Sequence, residues 1–240
     1  MTSRRTRALI VAPVALAAGA AVGVYVWRRW GYRVRETERE VARVPEPPVQ
    51  DVPGAGDDVQ DEKDGVGAHF HRRYQVDVAE STLTPAELMA EIGRDIQRFV
   101  PDEIAVFDKT VGARGQLAVG DEYHIAIKAP WDGPVRVVDA TPTRFTLATL
   151  DGHLEAGQIR FQAADHPSQS GAVRFAIESW ARSADPAVDW FYDTAGVAKA
   201  AQRAMWTFFC NQVADACGGR TLGDVEVLTE RQPDDERGDA

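Results

Sequence analysis

The stretch that decides the fold covers residues 144–161 and reads RFTLATLDGHLEAGQIRF. Apolar side chains occupy alternate positions on both sides of the turn-forming dipeptide Asp151-Gly152, which is typical of two half-buried strands joined by a tight connection. Strands with this alternation belong to an antiparallel sheet that has one covered face. The alternating apolar positions are Phe145, Leu147, Ile159 and Phe161.

The same period-two alternation occurs in other segments of the chain, and Gly or Pro residues separate them. One such segment precedes the first predicted helix, and the others follow it. They predict a run of about six antiparallel strands. The further segments are 74–78, 123–127, 135–137 and 173–177.

Two helices are predicted around these strands. The first begins at Thr84, where Pro85 and Glu87 complete the pattern of a capping box, and it ends before Pro101. The second covers Asp193 to Cys217 and carries an apolar stripe that includes Phe208 and Phe209, and either of these two residues can face the strands. The chain therefore predicts an α+β domain in the order strand, helix, strands and long C-terminal helix.

The stretch from Leu147 to Phe161 resembles the signature of the domain-of-unknown-function family numbered nineteen-ninety, roughly Y-G-T-L-x-G-H-P-E-x-G-E-E-x-F. The segments 173–177 and 179–183 are similar to the next strand of that family. The resemblance covers His69 to Gly219 and departs from the family pattern at four positions, which are Leu147, Leu154, Gln158 and Ile159.

That family resembles the START, polyketide-cyclase and pollen-allergen superfamily. The resemblance implies a helix-grip fold, in which a curved antiparallel sheet of about six or seven strands wraps around the C-terminal helix. It also implies a cavity between the sheet and that helix. Because the family is uncharacterised, the resemblance predicts a fold more than a function.

The N-terminal end of the chain predicts a single transmembrane helix. Residues 8–27 contain no charged side chain, and a helix of 20 residues is long enough to cross the hydrocarbon core of a bilayer. Arg28-Arg29 follow as a stop-transfer signal. The alternative is a cleaved signal peptide with Ala18-Gly19-Ala20 at its cleavage site.

Charge and cysteine content indicate which side of the membrane the domain occupies. Residues 1–35 carry seven arginines and no acidic residue, and four of these arginines follow the apolar run. This distribution and two unpaired cysteines favour a cytoplasmic domain. The remaining residues carry 20 basic and 37 acidic side chains, a net charge of −17 that argues against binding to nucleic acid.

Two segments are predicted to be disordered. Residues 36–68 hold ten acidic side chains and a proline-rich patch, and residues 220–240 form a polar tail. Neither contains enough apolar surface to offset the entropy of ordering. We therefore expect a tether between the membrane helix and a domain that spans residues 69–219.

His153 and Glu155 are the candidates for catalysis, because an imidazole and a carboxylate near a cavity can exchange protons. The alternative is that they cap backbone groups of the turn at Asp151-Gly152. His69 and His71 could form a two-ligand metal site or be solvated. The motifs of nucleotide-binding loops and serine or zinc hydrolases are absent from the sequence. We expect no cofactor and no metal ion.

Aromatic side chains are the candidates for ligand binding. They project from the predicted inner face of the sheet and from the long helix. They either fill a solid core or line a cavity for a lipid, a sterol or an aromatic metabolite. The predicted ligand-binding residues are Tyr123, Phe145, Phe161, Phe175 and Phe208.

These observations leave three functions open. The first is a membrane-anchored domain that binds a hydrophobic small molecule or lipid, with the bilayer contacted through residues 8–27. The second is a ligand-free module that recruits a partner to the membrane. The third is a cyclase- or hydrolase-like enzyme that uses His153 and Glu155.

Overall fold

The computed structural model describes residues 33–49, 58–127, 132–184 and 197–234. The helices are α1 (Pro85–Arg94), a short 3₁₀ helix (Ile96–Phe99) and α2 (Val197–Cys217). The strands are β1 (Val34–Glu40), β2 (Val59–Gln60), β3 (Val66–Ala79), β4 (Ala105–Val111), β5 (Glu122–Ile127), β6 (Asp132–Thr141), β7 (Arg144–Leu150), β8 (Glu155–Asp165), β9 (Val173–Ser183), β10 (Arg220–Thr221) and β11 (Val225–Gln232).

All eleven strands within the described ranges belong to one sheet, in the order β1-β11-β3-β9-β8-β7-β6-β5-β4. The short strands β10 and β2 pair with β3 and β7. Every pair is antiparallel except β1 with β11. The predicted α+β class and the helix-grip order of elements are confirmed, but the sheet has more strands than the six or seven predicted.

The start of α1 and the end of α2 lie where the sequence predicts them. The Thr84 hydroxyl accepts a hydrogen bond from Glu87 N, and the Glu87 carboxylate accepts one from Thr84 N at 2.8 Å, which completes the capping box. At the other end of the domain, Gly218 follows α2 with a φ of +67°, a conformation that glycine adopts at little cost.

The core lies between one face of the sheet and the two helices. α2 contacts β3, β9 and β11, whereas α1 contacts β8 and β9. The largest fully buried side chains of this core are aromatic or branched, and they include Leu88 and Ile92 of α1 and Phe209 of α2. The sheet and α2 therefore enclose the apolar interior that the helix-grip prediction requires.

The prediction of a disordered segment at 36–68 is wrong for its described part. Residues 34–40 form β1, and residues 41–49, which we call the strap, cross from β11 to β8. Val44 N donates to Gln232 Oε1 at 3.0 Å, and Gln158 Nε2 donates to Val49 O at 2.8 Å. The strap is therefore held at Val44 and at Val49 by side-chain hydrogen bonds that composition does not reveal.

The prediction of a disordered tail at 220–240 is also wrong where the structure describes it. Val225 and Val227 of β11 are buried in the core. The charged residues of β11 pair with β1, as in the contact of Arg231 Nη1 with Glu40 Oε1 at 2.7 Å. Acidic and basic side chains along two neighbouring strands thus satisfy each other, which is why a high charge content did not mean disorder here.

The predicted membrane span, residues 8–27, lies outside the described residues. Within the described ranges, no helix is long and apolar enough to cross a membrane.

Candidate functional site

The middle of the interior is filled by a cluster of stacked aromatic rings. The Phe161 ring lies 4.7 Å from Phe145 and 5.4 Å from Phe209, measured between centroids. Phe175 stacks on Phe209 at 5.7 Å. Phe161, Phe175 and Phe209 are fully buried. The structure therefore brings together three of the predicted ligand-binding residues: Phe145 contacts Phe161 directly, and Phe161 and Phe175 both contact Phe209.

The other two predicted ligand-binding residues lie elsewhere. Tyr123 is buried on β5, with Lys109 Nζ 5.1 Å from its ring centroid, and burial raises its pKa. Phe208 is buried on α2, but Phe209 makes the ring contacts with Phe161 and Phe175. Of the two helix positions left open by the apolar stripe, Phe209 is the one that faces these strands.

Polar side chains converge at one end of the same interior, and we call this group the polar end. It consists of Arg72 and Tyr74 from β3, Glu155 from β8, Gln202 from α2, and Trp206, which follows Gln202 by one helical turn. Arg72 Nη1 lies 3.8 Å from Glu155 Oε1, and Gln202 Nε2 donates to Glu155 Oε2 at 3.4 Å. The Arg72 and Glu155 side chains are only 5% and 17% exposed, so this ion pair is largely removed from water.

The strand geometry explains why Arg72 points inward. Side chains of a strand alternate between its two faces, so Arg72 shares the inner face with Tyr74 and Phe70. The Arg72 guanidinium carbon lies 4.5 Å from the centroid of the Phe70 ring. Burial raises the pKa of the Tyr74 hydroxyl to about 12, which keeps it neutral and able to donate a hydrogen bond.

Several polar atoms of the polar end lack a partner within the described part of the chain. Arg72 makes no hydrogen bond there, although its guanidinium is nearly buried. Gln202 Oε1 and Trp206 Nε1 are buried and also without a hydrogen-bond partner in those ranges. Buried polar groups are nearly always hydrogen-bonded in proteins, to the chain itself, to water or to a ligand. The polar end therefore has unused hydrogen-bonding capacity.

His153 and Glu155 face different neighbours. Glu155 N donates to His153 Nδ1 at 2.9 Å, so the imidazole is held against the backbone at the start of β8. The His153 ring also packs against Gly133, where a Cβ atom would lie 2.3 Å from Cδ2 of the ring. The Glu155 carboxylate is turned toward Arg72 and Gln202. The structure thus gives His153 the turn-capping contact and gives Glu155 a place in the interior.

Of the two histidines near the N-terminal end of β3, His71 is buried and His69 is half-buried. His71 Nδ1 lies 2.8 Å from Glu230 Oε2, and the residue is 5% exposed. Burial is the main reason why the pKa of His69 falls to about 4. The described residues contain no group of three or more His, Cys, Asp or Glu side chains that could hold a metal ion.

Neither cysteine is suited to act as a nucleophile. Cys210 and Cys217 are free thiols buried in α2. Burial raises the pKa of both thiols, which keeps them protonated.

Sequence reasoning found Glu155 but missed Arg72, Gln202 and Trp206. A signal for Arg72 was present, since the alternation of Tyr74, Val76 and Val78 places Arg72 on the same inner face when it is extended backwards. No comparable signal existed for Gln202 and Trp206, because the phase of α2 against the sheet is set by packing.

Comparison with solved structures returned proteins of low similarity. They include norcoclaurine synthase from Thalictrum flavum (10% identity, TM-score 0.44, 65% of this chain and 88% of that chain). A hypothetical protein from Helicobacter pylori gives 8% identity, a TM-score of 0.44, and coverage of 60% and 86%. A protein from Deinococcus radiodurans gives 11% identity and a TM-score of 0.38, and the match covers 60% of this chain and 98% of that chain. At these values the similarity carries no conclusion about the chemistry of this chain.

No curated protein matches the chain. A family model does match, and it covers residues 66–211, from the first residue of β3 to the middle of α2. This range contains the signature stretch, the polar end and the aromatic cluster, and it is more than half of the chain. The chain belongs to the family described as Domain of unknown function (DUF1990).

Proposed function

We propose that the chain binds a small amphipathic molecule between the sheet and α2. The polar group of this molecule would lie at the polar end, and its apolar part would lie against Trp206 and Phe161. The proposal is supported by two buried atoms, Gln202 Oε1 and Trp206 Nε1, that have no hydrogen-bond partner within the described residues, and by the nearly buried Arg72 side chain, which lies 3.8 Å from Glu155. A ligand that satisfies these atoms would recover the cost of their burial.

The aromatic cluster decides where the apolar part of the ligand would go. The rings of Phe145, Phe161, Phe209 and Phe175 contact one another in that order. Trp206 lies at the edge of this cluster, 5.6 Å from Phe161 in a T-shaped contact. Trp206 lies on the same face of α2 as Gln202, one helical turn away. An apolar chain or ring that meets Trp206 would therefore be next to the polar end.

Photo-crosslinking of the full chain in its membrane preparation tests this proposal. The probe is dodecanol with a diazirine in the middle of its chain, and the labelled peptides are identified by mass spectrometry. We expect adducts near Trp206 on α2 and near Phe161 on β8. Phe161→Leu should reduce this labelling about fivefold, the effect of losing roughly 1 kcal/mol of contact energy.

Phe175→Leu is the matched control. Phe175 and Phe161 are both fully buried and both contact Phe209, but only Phe161 has a described contact with Trp206. The control variant should lose similar stability and keep its labelling. If the polar end is not labelled in the wild-type chain, the ligand-binding proposal is wrong and the ligand-free interaction module replaces it.

We also propose that residues 8–27 anchor the chain in a membrane, with the domain on the cytoplasmic side. The uncharged run of 20 residues and the arginines on its C-terminal side support this location. Protease treatment of sealed, right-side-out vesicles should leave the domain intact. Digestion of the domain in such vesicles would reverse the proposed orientation.

Deletion of residues 2–32 should move the chain from the membrane pellet to the supernatant, because it removes the apolar run and keeps β1. Retaining β1 is essential, since its backbone pairs with β11 along the whole strand. Deletion of residues 2–7 is the control and should leave the chain in the pellet. Recovery of the 2–32 deletion in the pellet after an alkaline carbonate wash would contradict the anchor.

A further inference from the structure

We infer that the polar group of the ligand is a carboxylate and that Arg72 binds it. This inference rests on the proposed function, and it adds the chemical class of the ligand. It starts from the one charged side chain of the polar end whose hydrogen-bond donors are unused. Arg72 is nearly buried, its shortest contact with Glu155 is 3.8 Å, and it makes no hydrogen bond within the described residues.

A distance of 3.8 Å is an electrostatic contact and is too long for a hydrogen bond. A guanidinium has five N–H donors in a planar fork, and that fork matches the two oxygens of a carboxylate. The guanidinium carbon of Arg72 also lies over the Phe70 ring, 4.5 Å from its centroid, and this contact uses no hydrogen-bond donor. The geometry of Arg72 is therefore that of a prepared site for a planar anion.

The remaining groups of the polar end favour an acceptor ligand over a donor ligand. Trp206 Nε1 can only donate a hydrogen bond, and it lacks a partner among the described residues. Glu155, the group that an amine would need, is already approached by the amide of Gln202 and by Arg72. The unused donors are those of Arg72 and Trp206 Nε1, whereas the unused acceptor is Gln202 Oε1, so a carboxylate satisfies more of the site than an amine or an alcohol does.

The experiment compares competitors that share one apolar body and differ in the polar group. Dodecanoate, dodecanol and dodecylamine each compete with the diazirine probe for labelling of the full chain near Trp206. We expect dodecanoate to compete about tenfold better than dodecanol, since a charge-assisted bidentate pair is stronger than a neutral hydrogen bond. Dodecylamine should be the weakest competitor.

A second pair of competitors separates two sources of the carboxylate. 2-Naphthoate and 2-naphthol carry the same polar groups on an aromatic body. If the aliphatic acid is the better of the two acids, the site fits a fatty acid. If the aromatic acid is better, the site fits an aromatic acid metabolite. In both cases the acid should compete with the probe better than the alcohol that has the same apolar body.

Variants of Arg72 test whether this side chain causes the preference. Arg72→Met should make dodecanoate and dodecanol compete about equally well with the probe. Arg72→Lys should keep part of the preference for the acid, because lysine keeps the positive charge. Arg73→Met is the matched control, since Arg73 is the next residue of β3 and projects from the opposite face of the sheet. The control should keep the full preference for the acid.

Removing Arg72 alone takes a cation away from the largely buried Glu155 carboxylate, and that variant could fail to fold. The double variant Arg72→Met with Glu155→Gln removes both charges of this contact and should also lose the preference. Equal competition by acid and alcohol in the wild-type chain would overturn the carboxylate inference and leave the proposed function standing. Absence of any labelling near Trp206 would instead overturn the proposed function itself.

Discussion

Replacing Phe209 by alanine is expected to lower the free energy of unfolding by about 3–5 kcal/mol. Phe209 is fully buried, and its ring lies within 6.1 Å of four other rings, measured between centroids. These four rings come from the 3₁₀ helix, from β8 and β9, and from α2 itself. The four rings are Phe99, Phe161, Phe175 and Trp206. Truncation of Phe209 would therefore leave a cavity at the point where α2 meets the sheet. Chemical denaturation of the full chain, followed by tryptophan fluorescence, measures the loss of stability.

Phe208→Ala is the control for this prediction. Phe208 is the neighbouring residue and is 8% exposed, so it is buried to nearly the same extent, but it lies outside the core cluster that contains Phe209. Its truncation should cost less than that of Phe209. If both variants lost the same stability, the ring cluster would not be the main attachment of α2 to the sheet.

The helix and the central strands were predictable because their signals are local. The capping box at Thr84 needs only the residues of one helical turn, and the apolar alternation in β7 to β9 arises because one face of each strand contributes its side chains to the apolar core. These elements have sequence patterns that reflect their own burial. Their existence and order followed from the sequence alone.

The edge strand β1 was not predictable in the same way. All of β1 after Val34 is exposed, so no apolar alternation marks it. It is a strand because its backbone pairs with β11 and its charges meet opposite charges there, as Arg39 meets Glu230. Both the partner strand and the partner charges lie about 190 residues away in the sequence. A strand that depends on such distant partners has a composition like that of a disordered segment.

The candidate site, like the fold, was only partly predictable from the sequence. Glu155 was found because it belongs to the signature stretch. Arg72 was missed because it belongs to no motif and precedes Glu155 by more than 80 residues. The two meet only because β3, β9 and β8 are neighbours in the sheet. The choice between Phe208 and Phe209 likewise depends on how α2 rotates against the sheet. Periodicity gives the width of an apolar stripe but not which of two adjacent residues faces a given strand.

Gly157→Ala is expected to destabilise the protein by more than about 3 kcal/mol, because it combines an unfavourable backbone conformation with a backbone clash. Gly157 has a φ of +153°, and a Cβ atom at this position would lie 2.0 Å from the carbonyl oxygen of Trp180. That oxygen belongs to β9, the strand paired with β8 at this point. Relief of the clash would require the two strands to separate in the centre of the sheet.

Gly152→Ala provides the matched comparison within the same signature stretch. Gly152 also has a positive φ, +93°, but a Cβ atom there would meet nothing within 4 Å. Its substitution should cost only the conformational preference, about 1–2 kcal/mol. The difference between the two variants in denaturation midpoint therefore measures the close approach of β8 to β9. If Gly157→Ala were no worse than Gly152→Ala, that close approach would not be what requires glycine at position 157.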